Sequence, residues 1–206
     1  MNISIVVPVY NSSSIIEDLT KDILSTIKEI SDVNKIQLIL VNDCSTDESW
    51  KKISKLSDEY KETVLGINLM KNYGQHNAIM AGLKLANGDY ILLIDDDYQH
   101  PPKEIPKILS KIREGFDVCY TNYKNNTYSK FKIFGSWINK KISNILIDKP
   151  KSIYLSSYKC INQKVLKEII KYDGPFVYID GLIFDITKNV TSVDIEHSER
   201  KLGKSN

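Results

Sequence analysis

Cysteine is scarce in this 206-residue chain: Cys44, Cys119 and Cys160 are odd in number, far apart in sequence and free of C-x-x-C spacing. That excludes a zinc frame and a disulfide scaffold, and it reads as a set of reduced, mostly packed thiols in a cytosolic protein. Net charge is scarce too. The 28 Lys and Arg residues nearly cancel the 26 Asp and Glu, leaving a formal +2. So small an excess gives no reason to expect a nucleic-acid partner, and any electrostatic argument must be local. No stretch approaches the roughly 18 consecutive apolar residues of a membrane span. The opening MNISIVVPVYN has no basic n-region and meets Pro8 after a short apolar run, as a strand does and a signal peptide does not. Internal repeats, low-complexity tracts and interdomain linkers are missing as well. What remains, 42% hydrophobic and 26% charged, is the composition of one globular α/β-sized domain.

The first half alternates strand and helix patterns. ISIVVP stops at Pro8, and SIIEDLTKDILSTIKEI follows with apolar residues at helical spacing and Ser14 and Glu17 placed as a capping box. IQLILV is a second strand. STDESWKKISKLSDEY is a second helix with Ser45 and Glu48 as its capping box. TVLGINL, residues 75–86 and YILLI continue as strand, helix, strand. Short apolar strands separated by amphipathic helices predict a mostly parallel sheet with helices on both faces. Further on, the pattern predicts a helix over 103–114, a strand at FDVCY, a long amphipathic stretch over 128–148, a strand over 156–160, a helix over 163–171 and a last strand at TSVDIEH.

In such a sheet ligands sit beyond the carboxyl ends of the strands, and there the polar residues cluster: PVYN, VNDCSTD, NYGQHN and DDDYQHPP. Asp95, Asp96 and Asp97 form an unusual run after a buried strand, since burying even one unpaired carboxylate costs several kcal/mol. Two chemistries suit it: a divalent cation shared with substrate phosphates, or a receiver-like pocket phosphorylated on aspartate. A solvated acidic turn is the plain alternative. Gly74 suits a tight turn before a helix whose N-terminus can face an anion. Gly82 suits close approach of that helix to the sheet. His100 reads as a loop histidine.

In their order and spacing VVPVYN, VNDCSTDES, NYGQHNAIMAGLKLANGDY and IDDDYQHPP resemble the inverting nucleotide-sugar glycosyltransferases of the GT-A fold. Within that family the chain is most similar to the dolichol- and undecaprenyl-phosphate glycosyltransferases of cell-envelope and related biosynthesis. The resemblance extends through FVYIDGLI and the final HSERKLGKSN, nearly the whole chain. It implies a catalytic domain over 1–206, with a nucleotide-binding half over 1–102 and an acceptor half over 103–206. It also implies a donor linked to UDP, GDP or dTDP. Pro8, Tyr10, Asn11, Val41 and Asp43 then fall at the nucleotide. Asn72 and Gln75 fall at the donor, and Arg200, Lys204 and Ser205 at the diphosphate. Asp95, Asp97 and Gln99 are implied as ligands of Mn2+ or Mg2+, with Asp96 contributing mainly backbone. Ser12 and Asn42 depart from the glutamate and aspartate common among relatives.

The acceptor side rests on Asp180, a carboxylate among apolar residues. By resemblance it is the general base or the acceptor-orienting residue, and by position it is equally a helix-capping aspartate. Lys124 stands where relatives often place an arginine near an acceptor phosphate. A lipid phosphate is already an anionic nucleophile and needs orientation more than a base. The basic, aromatic stretch over 128–148 fits either a core-facing helix or one lying at a membrane interface. The resemblance therefore implies work at the cytoplasmic face of the cell membrane, on a polyprenyl phosphate. The rival readings are extension of a polysaccharide or glycan, and a nucleotide-binding module without turnover. Relatives often continue past the R-x-x-G-x-S region, so two expectations stand side by side: a soluble piece of a longer protein, or a chain that is brought to the membrane by a partner.

Overall fold

A computed structural model describes residues 1–123, 150 and 153–196. The elements are β1 (Asn2–Val9), α1 (Ile16–Lys28), β2 (Lys35–Asn42), α2 (Ser49–Glu59), β3 (Val64–Asn68), α3 (Gln75–Leu83), β4 (Tyr90–Leu93), a 3-10 turn (Pro102–Glu104), α4 (Ile105–Ile112), β5 (Val118–Tyr123), β6 (Lys159–Asn162), α5 (Gln163–Ile169), α6 (Ile179–Ile186) and β7 (Val190–Ile195). The seven strands form one sheet in the order β3-β2-β1-β4-β6-β5-β7. β1 pairs in parallel with β2 and β4, and β5 with β7, while β6 runs antiparallel to both β4 and β5.

Side chains alternate across the sheet as the pleat requires. Ile3, Ile5, Val7 and Val9 of β1 join Leu38, Leu40 and Leu92 in a core completed by Ile16, Leu19 and Ile23 of α1, Ile53 of α2 and Ile108 of α4. Val6, Ile39, Val41, Ile91 and Leu93 face the other way, into a core built with Ala78 and Leu83 of α3, Val165 of α5 and Ile183 of α6. This is the two-faced α/β sheet that the pattern predicts. Gly82 is where α3 meets it: a Cβ there would lie 2.4 Å from Val6 Cγ1. Cys119 and Cys160, distant in sequence, are register partners on β5 and β6; both are buried and reduced.

Three local expectations are corrected. Neither capping box forms. α1 begins after Ile15 without a side-chain cap, and Glu17 instead pairs with Lys52 at 2.7 Å. At α2, Ser45 Oγ accepts the Asn11 N–H at 3.0 Å, and Asp47 Oδ1 accepts the Ser49 N–H at 2.9 Å. The strand expected over 156–160 starts at Lys159, because Thr121 Oγ1 bonds Ser156 Oγ and the Tyr158 carbonyl, each at 2.9 Å, before the ladder begins. And FVYIDGLI runs into a helix, α6, that the apolar run did not reveal. The amphipathic stretch over 128–148 lies outside the described residues. Among those described, no helix is long and apolar enough to cross a membrane.

Candidate active site

Parallel pairing brings the carboxyl ends of β1, β2 and β4 to one edge, with Val9 beside Asn42 and Val6 beside Leu93. The antiparallel sense of β6 brings its first residue, Lys159, to the same edge opposite Leu93. In the loops that follow β1, β2 and β4 stand the non-glycine residues with positive φ among those described: Asn11 at 55°, Cys44 at 57° and Tyr98 at 59°. Left-handed backbone costs such residues about 1–3 kcal/mol and gathers at functional sites. Here the surroundings hold it. Asn11 Oδ1 accepts the Thr46 N–H at 2.8 Å, and Tyr98 donates its hydroxyl to Asp22 Oδ2 at 2.8 Å.

The three carboxylates point to three different sets of neutral donors. Asp95 accepts Gln75 Nε2 on Oδ1 and Ser157 Oγ on Oδ2, both at 2.6 Å. Asp96 turns back toward β1, where its Oδ2 accepts the Tyr10 N–H at 3.0 Å and Ser12 Oγ at 2.5 Å. Asp97 Oδ1 accepts the Gln99 N–H at 3.0 Å. Burial pushes the Asp96 carboxyl up to about 6, aided by Asp95 and Asp97 and opposed by the two hydrogen bonds. So the Asp96 side chain, and not only its backbone, joins two strand ends, and Ser12 is its partner there. His100 is buried and stacks on Tyr158 with centroids 5.0 Å apart. The Asp95 N–H donates to its Nδ1 at 3.0 Å, which makes that nitrogen an acceptor and the ring a brace for the acidic turn.

Asp43, 3% exposed, receives the Tyr73 N–H at 2.8 Å and the Gly74 N–H at 2.9 Å, one on each carboxylate oxygen. It therefore fixes the loop that leads into α3, where Gly74 takes a φ of 83°. Asn72 accepts the same Gly74 N–H at 3.1 Å. Asn42 is buried and donates to Asn68 Oδ1 at 2.7 Å. Tyr10 is partly exposed, whereas Pro8 and Val41 are buried register partners within β1 and β2.

On the face covered by α3 and α6, Asp180 lies in the first turn of α6 and is 8% exposed. Its Oδ1 accepts both the Tyr120 hydroxyl, at 2.9 Å, and the ammonium of buried Lys159. His76 meets the edge of Tyr178 with centroids 5.3 Å apart, and its buried Nδ1 has no hydrogen-bond partner among the described residues. Burial holds the imidazole below its ordinary value, while Asp180, Lys159 and Asp95 all act on it. Sequence reading passed over His76, Lys159 and Ser157; a lysine inside the apolar pattern YKCIN was the one signal available. Lys124, Arg200, Lys204 and Ser205 lie outside the described residues.

The acidic turn suits a hard divalent cation in its donor chemistry. Among the described residues, no lysine or arginine makes an ion pair with Asp95 or Asp96, and the Gln99 side-chain amide makes no hydrogen bond. No cluster of three or more His, Cys, Asp or Glu groups gathers among them. A cation here would therefore take one or two carboxylates and fill its shell from substrate phosphates and water, as Mg2+ and Mn2+ do.

An α/β sheet that carries its polar loops at one edge, with an acidic turn beyond β4, is the architecture of the GT-A fold. The chain belongs to glycosyl transferase family 2, whose pattern matches residues 4–170. Among curated proteins it is 32% identical over 207 residues to undecaprenyl-phosphate 4-deoxy-4-formamido-L-arabinose transferase of Shewanella sediminis, covering 98% of this chain and 61% of that protein. It is 30% identical to the protein of the same name from Photorhabdus laumondii, covering 98% and 62%. The chain thus spans about three-fifths of the length of these relatives. Among solved structures it shares its fold with glucosyl-3-phosphoglycerate synthase from Mycobacterium tuberculosis in complex with Mn2+ and UDP-glucose. That match has a TM-score of 0.67 at 18% identity over 98% of this chain and 72% of the other. TarS 1–349 of S. aureus matches with a TM-score of 0.58 at 20% identity, covering 94% and 58%.

Proposed function

We propose that this chain transfers a sugar, with inversion, from a nucleoside-diphosphate sugar to a polyprenyl phosphate. The observation that carries this reading is the meeting of two carboxylate sites at one sheet edge: the acidic turn beyond β4, and Asp180 held by Lys159, which starts β6 opposite the end of β4. Residues 1–102 form the nucleotide-binding half, and 103–206 the acceptor half, whose last residues close over the donor. Tyr10 presents a partly exposed ring to the base, beside Asn11, with Pro8 and Val41 beneath. Asp43 keeps the Tyr73–Gly74 loop in place and offers remaining lone pairs to a base N–H. Asn72 and Gln75 flank the donor, and Arg200, Lys204 and Ser205 meet its diphosphate. Asp95, Asp97 and Gln99 are the residues that would hold Mn2+ or Mg2+. When bound, the ion supplies Lewis-acid stabilisation of the departing diphosphate.

An oxygen of the acceptor phosphate attacks the anomeric carbon from the side opposite the nucleotide. That C–O bond forms as the bond to the diphosphate breaks. The nucleophile is already an anion, so no proton need be removed, and Asp180 orients the acceptor while Lys124 attracts its phosphate. The names of the 30–32% identical relatives support the lipid acceptor. The UDP-glucose complex of the mycobacterial neighbour supports a UDP-linked donor and Mn2+. The work would be done at the cytoplasmic face of the membrane.

The test is a transfer assay with UDP-, GDP- and dTDP-linked sugars, undecaprenyl phosphate, and Mn2+ or EDTA. The expected product is a lipid-linked sugar from one donor, lost in EDTA and in Asp97→Ala. Transfer to a glycan with none to the lipid would overturn the acceptor assignment, and activity undiminished by EDTA the metal assignment.

A further inference from the structure

One buried cation has no part in that scheme. Lys159 is 3% exposed at the start of β6, on the sheet face under α3 and α6. A lysine is almost never buried so fully without a charged partner. Its ammonium donates to Asp180 Oδ1 and lies 5.0 Å from the centroid of the Tyr120 ring, and Tyr120 donates its hydroxyl to the same oxygen at 2.9 Å. Two donors therefore converge on Oδ1, while Oδ2 has no hydrogen bond among the described residues. The other titratable groups that act on this site are Tyr178, ahead of α6, and His76 in the first turn of α3.

An acceptor phosphate and an uncompensated carboxylate repel each other strongly in a water-poor site. Paired with Lys159, Asp180 carries no net charge. We propose that Lys159 and Tyr120 are positioning residues for the acceptor step: Lys159 cancels the charge of Asp180 so that an anionic acceptor is admitted, and with Tyr120 it fixes Oδ1 so that Oδ2 alone faces that acceptor. Neither residue touches the acceptor. This inference rests on the lipid-phosphate reading above.

The test compares transfer to farnesyl phosphate, a soluble lipid phosphate, with hydrolysis of the donor by water, a neutral acceptor. UDP binding is followed in parallel. In Lys159→Gln the KM for farnesyl phosphate should rise about tenfold or more, and the ratio of transfer to hydrolysis should fall with it, as loss of one close charge partner implies. UDP binding should stay within about twofold of wild type, since the donor loops are untouched. Tyr120→Phe, which keeps the ring stacked on Phe184, should lower kcat for transfer about fivefold at unchanged KM and leave donor hydrolysis as it is, so that the ratio falls here too. A merely structural pair would lower both reactions together and leave their ratio alone. Should Lys159→Gln not fold, the neutral pair Lys159→Gln with Asp180→Asn takes its place. It should show a wild-type KM with a reduced kcat, and a KM still raised overturns the proposal. Wild-type ratio and kcat in both single variants also overturn it. Failure of the unsubstituted protein to transfer to any lipid phosphate is a different result; it sinks the acceptor reading and this inference with it.

Discussion

Ionising Asp96 works against the fold. Its carboxyl is raised from the ordinary 3.8 to about 6, chiefly by burial. The folded protein therefore holds this proton through the interval in which the unfolded chain has released it, and stability falls as pH rises from about 4 to about 6. A rise of that size corresponds to up to about 3 kcal/mol at pH 7. Asp96→Asn, whose carbonyl can still accept from Tyr10 and Ser12, should stabilise the metal-free protein at pH 7 by up to that amount. At pH 3.5 it should change little. Denaturant melts in EDTA at the two pH values check this, and equal effects at both would refute it. Asp43 makes a contrasting case. Asp43→Ala leaves the part-buried Tyr73 N–H without its acceptor, while Gly74 keeps Asn72, and should cost about 1–3 kcal/mol, so lost nucleotide binding in that variant must be read beside its melting temperature. The acidic run was legible in DDD as a place where charge had to be answered. The answer was not, because neutral donors such as Ser157 come from more than 50 positions away, and nothing local marks them.

At the scale of elements, α3 carries the two halves of the site on its first turn: Gln75 bonds Asp95, and His76 faces Tyr178. Its seating depends on Gly82, against which Val6 and Val41 close to 2.4 and 3.2 Å of a would-be Cβ. Gly82→Ala should push the helix off the sheet, costing about 1–3 kcal/mol by overpacking. Transfer rate should fall with it, although residue 82 faces the core and not the ligand. A variant that melts lower but turns over normally would show that the site tolerates the shift. Period-2 and period-3.6 patterns sufficed to read β1 through α3, where each element buries one clear face. They failed at α6, whose apolar residues fill both sides of a short helix, and at the capping boxes. There Ser45 and Glu17 had better partners on neighbouring elements than in their own turn.

Across the whole molecule, β1 lies between β2 and β4 with a core on each side, whereas β3 and β7 are the outermost of the described strands. Hydrogen exchange should accordingly be slowest in β1 and fastest in β3 and β7 among the strands, since protection follows the deepest cooperative unit. A β3 as protected as β1 would contradict that ordering. The nucleotide and cation together should stabilise the fold by about 2.7 kcal/mol at 100 times Kd, seen as a higher melting temperature, and EDTA should remove the gain. The reversed direction of β6 has one further consequence. β5 leaves the sheet, and β6 re-enters it, at the edge that carries the acidic turn, so the connection between these two strands opens and closes where Lys159 meets Asp180. A longer or shorter connection there would leave the described ladders of β5 and β6 as they are. The edge behaves as a socket: the sheet keeps its shape while the segment plugged into it can differ in length.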